Sequence, residues 1–548
     1  MVGPEIAMIP TQALTQSRSK PEPTRGDLDG ISWPEYREAL QALVHASCCG
    51  AGSGGGFAAT PVPDAPRFAK LGYAAWHKTV KPAPPILPVE SGPLVLPAVT
   101  IADPQQVVRP NVDLFIANGR IERIEPAGAV AAGAAVVVEE LRGHFVSPAL
   151  ADLHIHNPPS NVFNLTPLFL LLYLRHGIVR VREAGDTDGT GTPAALELIE
   201  SGALPGIDMH YSYLFVQSGQ ARWPNSAHFD HPEQADAIVR SLQRLGARWV
   251  KSYENLDVVR VRALIAAAQR AGLGVMGHVP VKLTFEQALL PDTQHYFGVP
   301  LPQDLRGPHV INRIVDWQGV TPARIAETVE FCQRNALAMT PTLSSGINLL
   351  RLKQYEAERQ EPDVQLLPGF YGDVIWHPVH GLPIFRNLSE TDFRNGGEAV
   401  KRKLELTHSL WRAGVPLRLG TDVQQPFAVP GVSLHREMSA FEDAGVPRAE
   451  VWKLASLNAA HTLGVEDSGS IKPGMRADVL ASRLSPFEAP WTAQQISAVV
   501  AGGKLMRASD LDASINRELG RFKGTVSRLT SRWLAQFAVA RLARRYVP

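Results

Sequence analysis

The chain has 548 residues, 45% hydrophobic and 20% charged, which suits a globular protein with a large core and several structural units. Its 54 basic and 53 acidic residues leave a formal charge of +1, so no global field recruits nucleic acid or an anionic membrane, and the expected partner is a small molecule. Three cysteines, Cys48 and Cys49 side by side and Cys332 far away, exclude both a disulfide framework and a CxxC zinc site.

Residues 1–90 are rich in Pro, Gly, Ser and Ala and read as an N-terminal extension, with helical periodicity only in "SWPEYREALQALV". The opening lacks the basic start and continuous apolar region of a signal peptide, so the expected location is cytoplasmic. Residues 91–147 turn β-rich, and Asn118-Gly119 in "DLFIANGRIERIE" marks a type I′ hairpin. The same texture returns over 466–507, where Gly502-Gly503 can turn the chain. The two segments are expected to form one small β-sandwich domain flanking an insert.

That insert, residues 148–465, alternates short apolar runs with amphipathic helices. The runs are "ALADLHI", "GIVRVRE", "DMHYSYLFV", "ARWVKSY", "LGVMGH", "DTQHYF", "LAMTPTL" and "VPLRLGT". Eight strands with intervening helices predict an α/β fold of the (β/α)8 TIM-barrel type. Asp257 is placed to cap the helix "VVRVRALIAAAQRA" and Gly272 to end it. The apolar run "PLFLLLYL" falls far short of the ~20 residues that span a bilayer and reads as a core helix, leaving no transmembrane segment. The 345–413 stretch, between the seventh and eighth strands, is far longer than an ordinary connection and is expected to form a lid or specificity wall. Residues 508–548 read as a basic amphipathic helical tail broken near Gly524; packing on the barrel or a contact in a homo-oligomer is expected ahead of membrane or partner docking.

At the strand ends stand His154 and His156, Lys251, His278, His295 and Asp422. His154 and His156 are two apart, so on a strand they face the same way. Each residue alone has an ordinary structural explanation, such as a hydrogen-bonded histidine, a turn aspartate or a solvated lysine. All six at the rim where barrel enzymes do their chemistry point instead to a divalent-metal site, suited to Zn2+, Mn2+ or Fe2+. Arg182, at the end of the second strand, and Tyr253, two residues past Lys251, are candidates to bind a substrate carboxylate or carbonyl. Packing for Tyr253, and an ion pair with Glu183 or Asp186 for Arg182, are the alternatives.

The motifs "PALADLHIH", "GIVRVREAGD", "ARWVKSYENLD", "GLGVMGHVP", "DTQHYFG", "TPTLS", "GTD" and "NAAHTLGVEDSGSIKPGMRADVL" resemble the amidohydrolase superfamily, in particular its imidazolonepropionase-like and prolidase-like branch. The resemblance covers about residues 94–507. It implies two divalent transition-metal ions, with Zn2+ expected and Mn2+, Co2+ or Fe2+ as alternatives. His154, His156 and Asp422 would hold one ion, His278 and His295 the other, and Lys251 would bridge them as a CO2-derived carbamate. It further implies a shared hydroxide that attacks an amide-type C–N bond of an N-acyl amino acid, dipeptide or related compound, with Asp422 as the catalytic proton carrier. Three positions depart from the pattern: Ala149 for Gly, Gln294 for Glu, and "ADVLAS" without its usual acid. A deaminase would need a glutamate where Val281 stands. A lactone, ester or phosphotriester hydrolase on the same site, or an inactive barrel used for binding, are the other readings.

Overall fold

The computed structural model describes residues 86–545 apart from 130, 161, 220, 489 and 490. The expected helix over 32–44 and the Cys48-Cys49 pair lie outside the described residues.

Seven parallel strands and one extended segment follow one another in the order of a TIM-type barrel. They are Leu150–Ile155, Ile178–Glu183, Asp208–Tyr211 continuing into Phe215–Gln217, Trp249–Ser252, Gly274–Gly277, Asp292–Gln294 and Ala338–Thr340, with the extended segment 416–420, bridged at Leu417, in the eighth place. The eighth joins the seventh through the Met339–Leu417 bridge, and the ring closes where Leu153 N donates to Leu419 O at 2.9 Å. Between the third and fourth strands, Arg248 N donates to Tyr211 O at 3.2 Å. This is the TIM-barrel type of arrangement that eight βα repeats require.

The third strand is interrupted where Tyr213 takes a φ of 65°. The Glu183 carboxylate fills the gap by accepting from Ser212 N at 3.2 Å and Tyr213 N at 2.9 Å. Beyond the gap an extra strand, Ser226–His228, pairs in parallel with Phe215–Gln217. Its loop carries Arg222 and Trp223 onto the rim.

Local signals are realised where the sequence carries them. Asp257 caps the helix Val258–Ala271 by accepting from Arg260 N, and Gly272 ends it in the left-handed region. Helix Thr166–Arg175 is buried along its length, packed beside helix Ala508–Gly520. The 345–413 stretch is largely helical, with Leu343–Arg351, a π-helical turn at Tyr371–Ile375 and the long helix Glu390–Arg412.

The flanking segments combine in one eight-stranded sheet. Val479–Ser482 pairs antiparallel with Phe145–Pro148, which joins strands before the barrel to those after it. Asn118 and Gly119, with φ of 52° and 76°, turn the expected hairpin between Arg109–Ala117 and Arg120–Pro126. Leu94, Leu96, Ile116, Val146, Val479 and Val500 share a hydrophobic core separate from that of the barrel. The sheet is tied to the barrel by Arg180, whose Nη2 donates to Asp478 at 2.9 Å and whose Nε donates to Asp208 at 3.1 Å.

Candidate metal centre

The first strand lays Asp152, His154 and His156 along one side at two-residue intervals. Asp152 is fully buried and joins the first strand to the eighth, accepting from Thr421 Oγ1 at 2.6 Å and Thr421 N at 3.1 Å. Burial, opposed by these hydrogen bonds, pushes its carboxyl up to about 7. Thr421 N and Asp422 N both donate to His154 O, at 3.1 and 2.8 Å. Gly420 permits this approach, since a Cβ there would lie 2.5 Å from that of His154. Asp422 follows with a φ of 57°, a conformation aspartate tolerates better than most residues, and turns its carboxylate back over the first strand.

Asp422 Oδ1 therefore lies 3.1 Å from His156 Nε2 and 3.4 Å from His154 Nε2. The candidate ligand atoms of these three residues all fall within 4.8 Å of one another. His156 Nδ1 donates to Gly185 O at 2.6 Å, and a carbonyl can only accept, so Nδ1 carries the ring proton. In the neutral ring Nε2 then presents a lone pair to a carboxylate oxygen. That contact is repulsive unless a cation, a second proton or a metal ion, stands with it. His154 raises the same requirement: it is fully buried, its Nδ1 has no hydrogen-bond partner, and its Nε2 faces only the Asp422 oxygen across 3.4 Å. Burial, followed by the nearby Lys251, pulls its pKa down to about 3, so the ring is neutral and offers a lone pair. Unpartnered buried polar atoms are rare and destabilising, and a metal ion satisfies both rings. Burial opposes ionisation of Asp422, but the surrounding His295, His154 and His156 outweigh it and hold the carboxyl well below the usual range.

The imidazole rings continue in a row. His295 stands 4.8 Å from His154 and His278 4.8 Å from His295, centroid to centroid. His295, with a φ of 60°, shares a 2.6 Å hydrogen bond between Nδ1 and Thr342 Oγ1. His278 Nδ1 donates to Glu254 Oε1 at 3.0 Å, and Arg313 Nη1 holds both oxygens of that carboxylate at 3.1 Å. Gly277 brings the strands close at this point, since a Cβ there would lie 2.0 Å from Ser252 O. Lys251 is wholly buried, and its Nζ donates to Gln294 Oε1. Burial pulls the amine down to about 7 against the opposing pull of Asp422. The donor set, four imidazoles, a carboxylate and a lysine able to be neutral, fits divalent transition metals.

The family model of the amidohydrolase family matches residues 145–506, about two thirds of the chain. The chain belongs to the amidohydrolase family. No curated protein sequence matches it. Among solved structures, bottromycin amidohydrolase is similar at 21% identity and a TM-score of 0.59, over 89% of this chain and 97% of that one. A Xaa-Pro dipeptidase is similar at 17% identity and a TM-score of 0.55, over 76% and 100%. Ochratoxinase from A. niger is similar at 16% identity and a TM-score of 0.54, over 76% and 96%. At such identities the likeness is one of fold.

Within this amidohydrolase, the two substrate candidates part company. Tyr253 packs its ring 4.6 Å from that of His278, and its hydroxyl accepts from Trp223 Nε1 at 3.1 Å and Arg222 Nη1 at 3.5 Å. It stands beside the histidine row. Arg182 is fully buried inside the barrel: Nη2 pairs with Asp292 at 2.7 Å, Nε donates to Leu153 O at 2.8 Å, and the guanidinium lies over Trp249. The structure places it in an interior ion pair, the alternative to a substrate role, and the partner is Asp292 rather than Glu183 or Asp186. Five further residues at the site, Asp152, Glu254, Arg313, Thr342 and Trp223, are not singled out by the sequence alone. Of these only Asp152 carried a local signal, the two-residue spacing of D-x-H-x-H.

Proposed function

We propose that the protein is a two-metal hydrolase of an amide-type C–N bond in a small substrate, an N-acyl amino acid, a dipeptide or a related compound. The observation that carries this reading is the facing of the His156 Nε2 lone pair and the Asp422 carboxylate across 3.1 Å, beside the buried ring of His154. Family membership and the prolidase and amidohydrolase folds among its neighbours support it. His154, His156 and Asp422 would hold one ion, His278 and His295 a second, and Lys251, carboxylated by CO2, would bridge them.

Such ions, when bound, supply a hydroxide nucleophile near pH 7 and polarise the scissile carbonyl. The chain's own residues do the rest. Asp422, ionised and turned over the first strand, accepts the proton of the attacking water and delivers it to the leaving amine, a transfer that contributes roughly 10²- to 10⁴-fold. Lys251, as the neutral amine that its burial favours, would form its N–C bond to CO2 as one C=O π pair moves to oxygen, and would release an N–H proton to water to leave the anionic carbamate. Tyr253, its hydroxyl fixed by Trp223 and Arg222, orients a substrate carboxylate or carbonyl.

The test is hydrolysis of a library of N-acyl amino acids, dipeptides, lactones and phosphotriesters by metal-replete protein, before and after chelation. Amide hydrolysis that chelation abolishes and Zn2+, Mn2+ or Co2+ restores is the expected result. Full activity without metal contradicts the reading, and turnover of phosphotriesters or lactones alone moves it to the ester-type alternative.

A further inference from the structure

The helix Thr525–Arg545 buries one stripe and exposes another. Ser531, Ala535 and Val539 are buried, with the helix lying on the π-helical turn Tyr371–Ile375. On the far side Val526, Leu529, Trp533 and Phe537 are 78%, 65%, 63% and 59% exposed. Their spacing of three, four and four residues is that of a single helix face, and at about 100° per residue it lies opposite the buried stripe. The Trp533 and Phe537 rings stack with centroids 6.4 Å apart, which makes the stripe continuous. Folded proteins seldom leave such a run of large apolar side chains in water without a use.

Charge indicates what covers it. Residues 525–545 contain Arg528, Arg532, Arg541, Arg544 and Arg545 and no Asp or Glu, in a chain whose formal charge is only +1. Acids next to the helix have partners elsewhere: Glu518, on the preceding helix, pairs with Arg521 at 2.6 Å, and Asp373, on the turn beneath, pairs with Arg359 at 2.6 Å. A second copy docked along the same stripe would set one arginine-rich helix against another, and like charges disfavour that pairing. A surface that is apolar below and anionic above matches both features. Indole and phenyl rings belong at the acyl boundary, and guanidinium groups bind phosphate head groups.

We propose that this helix docks the protein on an anionic lipid bilayer, lying in the interface with Val526, Leu529, Trp533 and Phe537 turned to the acyl boundary. The helix is about 30 Å long and lies along the surface rather than across it. The proposal is independent of the metal site.

The test is co-sedimentation of the full chain with vesicles of phosphatidylcholine alone and of phosphatidylcholine mixed with phosphatidylglycerol. Binding to the mixed vesicles is expected, roughly tenfold or more tighter than to the neutral ones and weakened by salt. The double variant Trp533→Ser/Phe537→Ser should lose roughly tenfold or more of that binding while circular dichroism and turnover stay unchanged. Arg532→Gln/Arg541→Gln should weaken binding to the mixed vesicles alone. The proposal is overturned by no sedimentation with the mixed vesicles, by binding that the double variant leaves intact, or by a dimer in velocity sedimentation that the double variant dissociates. Retention by soluble polyglutamate without retention by vesicles also overturns it, in favour of an acidic protein.

Discussion

The two halves of the candidate site are built differently. His154, His156 and Asp422 are fixed largely by backbone: two strands bonded through Leu153 and Leu419, a carbonyl from Gly185 on one imidazole, and main-chain amides of Thr421 and Asp422 on His154 O. His278 and His295 are also tied by their main-chain amides, to Ser252 O and Thr340 O, but their rings are held by side chains from elsewhere, Glu254 with Arg313 behind one and Thr342 behind the other. A ligand held by backbone moves only if the barrel moves, whereas one held by a side chain can be loosened by a single substitution. The first half should therefore resist change in everything except its own ligands and Asp152, which holds Thr421, and the second should respond to its supports.

Breaking the first half at its ligand gives the largest effect. Asp422→Asn removes both the proton acceptor and the charge beside the two imidazoles, so kcat should fall by roughly 10²- to 10⁴-fold. Far-UV circular dichroism should barely change. A loss smaller than tenfold would make Asp422 a turn residue.

Loosening the second half gives a smaller and more selective effect. Glu254→Gln leaves an acceptor for His278 Nδ1 but removes the charge that Arg313 holds, and Thr342→Val removes the hydroxyl beside His295. Each should weaken one equivalent of metal by roughly 10- to 100-fold and leave the other bound, the charged support mattering more than the neutral one. Metal titration followed by calorimetry reads the two equivalents separately. Equal weakening of both would erase the distinction between the halves.

That same distinction marks what could be read from the sequence. The barrel strands announce themselves as short apolar runs, and the candidate ligands follow from position because each stands at or just beyond a strand end. The hairpin at Asn118-Gly119 and the helix between Asp257 and Gly272 were legible for the same reason, since their chemistry is local. Glu254 and Arg313 are 59 residues apart, and nothing in either neighbourhood names the other. Trp223 reaches Tyr253 only because an extra strand follows the broken third one. Arg182 shows the limit of counting along a strand: it faces the barrel interior but sits below the rim, level with Asp292, and a shift of two residues moves a side chain about 7 Å along the strand.

The central claim is that Lys251 joins the two halves as a carbamate between two ions. The direct measurement is the metal content and turnover of Lys251→Ala, with and without added acetate or propionate. Wild-type protein should carry close to two equivalents, and, because the reactive amine gains population as pH rises through about 7, its reconstitution with metal at a fixed concentration of dissolved CO2 should be faster above pH 7 than below. The variant should lose metal and activity together, and a small carboxylate, occupying the place of the bridge, should restore part of both. A variant that keeps two equivalents of metal and normal turnover would contradict the account.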